Sequence, residues 1–218
     1  MLTGGAGLRA MTAAFTQLFG VRDAFAQIEM PGRTDAWLLR QALLTHDIPL
    51  GDPRVREYRS SYIRHLPQEL RHPPPPGARK GVLPGVRNLL DALAGRECVY
   101  LALLTGNYEP AAKLKLEYFD LWKYFRWGAF GDDATDRNGL LPAALARVPE
   151  SGGPAVTARD TVVIGDTPLD VTVAKAGGAR SIGVATGSHP VDRLRDAGAD
   201  VVFTDLHDTA AVLEALGV

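Results

Sequence analysis

Thr161-Val162-Val163-Ile164-Gly165-Asp166-Thr167-Pro168-Leu169-Asp170 is the stretch on which the fold turns. Its first four residues are a short apolar strand. Pro168 then opens a helix, where its missing N–H costs little, and Gly177-Gly178 stops it. The same alternation runs outward in both directions. Upstream, Cys98 to Leu104 (CVYLALL) is a continuous apolar run, as expected of a parallel strand covered on both faces, with Cys98 a buried thiol. Pro84-Gly85 leads a helix carrying Val86, Leu89, Leu90 and Leu93, and Pro110 starts another. Residues 126–130 form a short strand, and Leu140, Leu141, Ala144 and Leu145 mark a helix. Downstream, 181–185 and 201–203 are strands with a helix from Pro190 between them, and Ala211, Val212, Leu213 and Leu216 lie on a last helix. Strands alternating with helices predict an α/β fold: a doubly wound parallel sheet in three layers with right-handed crossovers.

The first seventy residues have a different texture. Leu8, Met11, Phe15, Leu18 and Phe19 share a helical face over 8–19, and Trp37, Leu38, Gln41 and Leu44 share one over 35–45. A third helix over 54–70 carries Val55, Tyr58, Tyr62, Ile63, Leu66 and Leu70, with Arg54, Arg56, Arg59 and Arg64 on its solvated face. Pro73 to Pro76 cannot continue a helix and mark the boundary between a helical lobe and the α/β part.

Composition narrows the function. With 46% hydrophobic and 22% charged residues the chain is ordinary globular protein, which excludes disorder, collagen and coiled coil. Lys+Arg of 24 against Asp+Glu of 25 give a net charge of -1, so there is no bulk pull toward nucleic acid or anionic membrane. One cysteine excludes a disulfide framework and a cysteine zinc site. No stretch approaches the ~20 apolar residues of a membrane helix. Ala24-Phe25-Ala26 imitates a signal-peptidase site, but the segment before it carries Gln17, Arg22 and Asp23 and has its apolar residues at helical spacing, and the expectation is a cytoplasmic protein.

Open parallel sheets bind ligands beyond the carboxyl ends of their strands. After Leu104 the chain reads Thr105-Gly106-Asn107. The Thr105 hydroxyl and the backbone N–H groups of Gly106 and Asn107 make a cradle for phosphoryl oxygens, although the same triplet also serves as a plain turn and helix cap. Asp166 at a strand end and Asp170 in the following first turn bring two carboxylates to one point. They repel unless a proton or a hard divalent cation such as Mg2+ lies between them. The bland alternative for Asp170 is favourable interaction with the helix N-terminus. Arg137, in the loop Phe130 to Asn138, is a permanent cation that could fold back to a phosphate, but spacing alone favours a surface pair with Asp133 or Asp136. Gly5-Ala6-Gly7-Leu8-Arg9-Ala10 matches a dinucleotide fingerprint, yet only four residues precede it, too few for the strand that motif requires.

Thr105, a following basic residue and the Gly-Asp-Thr-Pro-Leu-Asp run, in that order, resemble the haloacid dehalogenase superfamily of phosphohydrolases. Gly81 to Asn107 is similar to its phosphoglycolate phosphatase-like branch. The resemblance implies a helical cap over 10–78, an α/β core over 79–218 and a linker remnant of the core over 1–9. It implies Mg2+-dependent hydrolysis of a small phosphorylated metabolite. Thr105 then binds the transferring phosphoryl group, Arg137 takes the third-motif role with Lys113 and Lys115 as competitors, and Asp166 and Asp170 hold the metal. Gly32-Arg33-Thr34-Asp35 falls at the family's substrate-facing loop, making Arg33 and Thr34 substrate candidates.

The family's first motif, a strand ending in Asp-x-Asp-Gly-Thr with the aspartate nucleophile and the general acid/base, has no counterpart near Met1-Leu2-Thr3-Gly4-Gly5. These residues resemble the linker that follows it. In family order that strand lies between those ending at 104 and 164, so its loss would leave a gap of about 10 Å, twice the inter-strand spacing. The expectation is a truncated or late-started phosphatase whose 218 residues are poorly stable and inactive. The rival is an inactive phosphate-ligand or protein-binding module of the same fold. A metal-free dehalogenase fits the acid pair poorly, and a phosphomutase stays open.

Overall fold

The computed structural model describes residues 1–134 and 136–218. In chain order the elements are β1 (Leu2–Thr3), α1 (Ala6–Phe19), α2 (Asp35–Thr45), α3 (Val55–Arg71), β2 (Lys80–Gly81), α4 (Val86–Ala94), β3 (Ala102–Leu104) and α5 (Glu109–Tyr118). They continue as β4 (Trp127–Ala129), α6 (Leu140–Glu150), β5 (Val162–Gly165), α7 (Pro168–Gly177), β6 (Arg180–Val184), α8 (Val191–Asp196), β7 (Val201–Phe203) and α9 (Thr209–Leu216). No helix among the described residues is long and apolar enough to cross a membrane.

The α/β part is parallel, as the alternation predicts, but its ladders are separate. β3 pairs with β4, and β5 pairs with β6, which pairs with β7, all parallel. Among the described residues β3 and β5 share no ladder. These are the strands ending at 104 and 165. They are joined instead through helices: Leu141 of α6 and Val173 and Ala174 of α7 pack with Val163, and Leu104 leans on the same cluster. A second cluster, Leu89 and Leu93 of α4 with Val212 of α9, lies under Val99, Leu101 and Phe203. β1 and β2 form a separate antiparallel pair at the join with the helical lobe.

The apolar run 98–104 is less covered than its composition predicts. Cys98 is exposed in a turn, not a buried thiol, and the strand begins only at Ala102. Tyr100 is exposed and stacks on Trp127, ring centroids 5.8 Å apart.

Helices α1, α2 and α3 enclose one continuous cluster. Phe15, Phe25, Tyr58, Tyr62, Leu66 and Leu70 are all nearly fully buried within it, and Tyr108 and Ala111 of the α/β part join it. Each large side chain removed from water contributes about 1.5–3 kcal/mol. Two sequence stripes are rotated relative to expectation. In α1 the buried residues are Ala6, Ala10, Met11, Ala14 and Phe15, with Leu8 exposed. In α2 they are Asp35, Leu38, Leu39, Ala42 and Leu43, with Leu44 exposed. Asp35 turns inward to polar partners, and positions three, four, seven and eight beyond it follow onto that face. The arginines of α3 are exposed, as expected of a solvated face.

Candidate active site

A cleft of about 250 Å³ opens where the helical lobe meets the ends of β3 and β5. Thr105, Gly106, Asn107, Arg137, Asp166 and Asp170 all line it, so six sequence candidates converge on one cavity. Arg33 lines it too. Thr34 does not appear among its walls. Thr34 is buried and its hydroxyl accepts from the Trp37 N–H at 3.1 Å, the N-cap of α2.

The loop after β3 is held from several directions. The Thr105 N–H donates to Ala129 O at 3.0 Å, and the Gly131 N–H donates to Asn107 O at 2.7 Å, extending the β3–β4 pairing into the turn. The Asn107 N–H donates to the Thr105 hydroxyl at 3.2 Å, the plain-turn geometry of this triplet, so that N–H is partly engaged within the loop. Across the seam the Asp35 N–H donates to Gly106 O at 2.8 Å. The approach is so close that a Cβ at Gly106 would lie 2.5 Å from Arg33 O. Gly32, at φ +75°, completes the fit: a Cβ there would meet Thr167 Oγ1 at 2.9 Å. The loop 32–35 is thus pressed onto both strand-end loops.

Beneath it lies a buried polar chain. Asp35 accepts from Asn107 Nδ2 at 3.1 Å and from the Tyr108 N–H at 2.9 Å. Asn107 Oδ1 in turn accepts from Lys115 Nζ at 3.0 Å. Burial pushes the Asp35 carboxyl above its usual range and Lys115 below its own, and each charge opposes the other's shift. Lys115 lines the cleft, whereas Lys113 is exposed and pairs with Glu117 at 3.8 Å.

On the opposite loop, Asp170 closes a capping box. Its Oδ2 accepts from the Thr167 N–H at 3.0 Å and from the Thr167 hydroxyl at 2.8 Å. Its other oxygen pairs with Arg137. Arg137 therefore does not form the surface pair that spacing favours: Asp133 goes to Arg147 and Asp136 caps its own turn. Burial first, and then the Asp170 charge, push the Asp166 carboxyl above its usual range. A hard cation beside Asp166 relieves both effects, so the donor set suits a divalent metal that keeps waters and takes its other oxygens from a ligand. No cluster of three or more His, Cys, Asp or Glu side chains suited to a metal occurs among the described residues.

This fold and cleft define a class. Residues 137–209 match the HAD-hydrolase-like family model. The chain is 30% identical over 169 residues to the probable phosphatase IndB of Dickeya dadantii, covering 78% of this chain and 70% of that one. It is 31% identical over 137 residues to the phosphoglycolate phosphatase of Pseudomonas fluorescens, covering 60% of this chain but only 49% of the relative. A hydrolase from Pseudomonas syringae superposes with a TM-score of 0.67 at 19% identity, over 98% of this chain and 92% of that one, a likeness of fold. The chain belongs to the HAD-like hydrolases, as the order of its motifs implies.

Sequence reasoning left Asp35 without a role and ranked Lys115 only as a competitor. The signal for Lys115 was helical period: Ala111, Ala112, Lys115 and Leu116 form the buried face of α5, so Lys115 faces inward with the alanines.

Proposed function

We propose that this protein is a phosphatase of the HAD type acting on a small phosphorylated metabolite, with Mg2+ as cofactor. The observation that carries the reading is the convergence of Thr105, Asn107, Arg137, Asp166 and Asp170 on one cleft at the ends of β3 and β5. In this reading the Thr105 hydroxyl and the Gly106 and Asn107 N–H groups orient the phosphoryl oxygens. Arg137 fixes Asp170 and adds positive charge beside the phosphoryl group. Asp166, backed by Asp170, would hold Mg2+, which supplies charge neutralisation on those oxygens when bound. Loop 32–35 excludes water, and Arg33 meets the leaving group, whose size the cleft volume restricts.

The chemistry also requires an attacking carboxylate. Among the described residues the acids lining the cleft are Asp35, Asp166 and Asp170. Asp35 is spent on Asn107 and Tyr108, Asp170 on Thr167 and Arg137, and Asp166 on the metal. We therefore propose that the 218 residues bind phosphate but do not turn over phosphomonoesters. The test is p-nitrophenyl phosphate hydrolysis with Mg2+ by the 218 residues. Orthophosphate binding without turnover is expected, and robust turnover overturns the assignment of the acids.

A further inference from the structure

We propose that the outer face of α1 is an apolar shelf for the leaving group, so that the substrate is a phosphomonoester whose leaving group carries a hydrocarbon tail. This rests on the phosphate reading of the cleft above. Helix α1 turns Ala6, Ala10, Met11, Ala14 and Phe15 inward and leaves Leu8 40% exposed. A single exposed leucine is ordinary. Leu8, however, is a wall of two cavities. One is the cleft, and the other is an open groove of about 670 Å³ lined by Leu8, Arg9, Thr12, Ala13, Thr16 and Gln17. Positions 8, 12 and 16 and positions 9, 13 and 17 are two neighbouring rows on one helix face. The groove therefore runs along α1 and begins at the cleft. At 1.5 Å per residue, Leu8 to Gln17 spans about 14 Å, long enough for an eight-carbon chain.

Four of the six wall residues are polar, yet three of them have their polar ends committed elsewhere. The Arg9 guanidinium donates to Glu69 Oε2 at 2.7 Å, to Glu69 O at 3.0 Å and to Gly4 O at 2.6 Å. It offers the groove its aliphatic stem. The Thr16 hydroxyl donates to Val21 O at 2.8 Å. Gln17 Oε1 accepts from the Ser61 hydroxyl at 3.0 Å and from His65 Nε2 at 2.8 Å. What faces a ligand is mainly hydrocarbon. Among the described residues Arg9 is the one charged side chain in this wall, so a second phosphate or carboxylate at the far end of a leaving group finds no free cation there. The cleft alone, about 250 Å³, is below the ~300–1,000 Å³ usual for a ligand pocket. It takes the phosphoryl group and the atoms next to it, and the rest of a longer leaving group passes over Leu8 onto α1.

Methylphosphonate and octylphosphonate are the probes, titrated calorimetrically with Mg2+ into the 218-residue chain. Their C–P bonds are not hydrolysed, and both carry the same head. A fully buried methylene is worth about 4-fold in affinity, and about 2-fold when half of it stays wet, so octylphosphonate should bind at least ~10-fold more tightly than methylphosphonate. Its binding heat capacity should also be the more negative. Ala13→Asp and Leu8→Ala should each reduce the ratio of the two affinities at least ~3-fold. The ratio cancels whatever a new charge does to the shared head. A ratio near one in the unsubstituted chain, or a ratio unchanged in both variants, overturns the proposal and leaves the phosphate reading standing. No binding of either phosphonate or of orthophosphate overturns that reading and the proposal with it. Should neither variant fold, the Ala13 methyl resonance decides: it is expected to move with octylphosphonate and not with methylphosphonate, and its standing still with both overturns the proposal.

Discussion

The helical lobe packs around one uninterrupted cluster from Ala6 to Ala111, filled by large aromatic and aliphatic side chains. The α/β half divides its interior among three smaller clusters, and its strands among separate ladders. Ladder edges at β3 and β5 leave backbone N–H and C=O groups to be satisfied by water or a further strand. Local stability follows continuous apolar packing and protected hydrogen bonds. The lobe is therefore the stable body of this chain and the α/β half the softer one. The cleft sits on the soft side of the seam, at the ends of the two unjoined ladders.

Disrupting the lobe gives the largest effect. Phe15 is fully buried and touches Phe19, Phe25 and Tyr58 ring to ring, so Phe15→Ala should cost about 3–5 kcal/mol in urea unfolding. Leu141→Ala, in the small cluster that joins the ladders, should cost about 2–3 kcal/mol and accelerate amide exchange in β3 and β5 while leaving α1 and α3 protected. Equal loss of protection in both regions would remove the distinction between them. At the seam, Asp35→Ala strips partners from the Asn107 side chain and the Tyr108 N–H. It should cost about 1–3 kcal/mol and separate the calorimetric unfolding into two transitions. The smallest effect lies in the α/β half. Ser181 donates to Asp200 from its N–H at 2.7 Å and its hydroxyl at 2.8 Å, which holds the Asp200 carboxyl below its ordinary range. A carboxylate lowered by folding stabilises above its unfolded pKa and loses that contribution as pH falls through the folded value. The stability difference between wild type and Asp200→Asn should be present at neutral pH and shrink as acid titrates Asp200; a difference that grows in acid would contradict it.

Much of the α/β order was legible because punctuation marks it. Pro168 and Gly178 bound α7, Pro190 caps α8, and 201–203 is the strand predicted. Convergence of Thr105, Asp166 and Asp170 was legible from their places at or just beyond strand ends, and that of Arg137 only from the order of the motifs. What failed was whatever depends on partners distant in sequence. Cys98 and Tyr100 look like core because their neighbours are apolar, yet nothing covers them enough to bury them. The rotation of α2 is set by Asp35 reaching Asn107, seventy-two residues away. Arg137 ignores the nearby acids for Asp170, thirty-three residues on, because that carboxylate is buried beside it.

The central claim is that the ends of β3 and β5 make one centre for phosphate and a divalent metal. Calorimetric titration of orthophosphate with and without Mg2+ addresses it directly. Binding partners that share a centre strengthen each other reciprocally. The 218-residue chain should bind orthophosphate at least ~10-fold more tightly with Mg2+, and Asp166→Asn should abolish that enhancement. Orthophosphate affinity indifferent to Mg2+, or an enhancement that survives Asp166→Asn, would contradict the account.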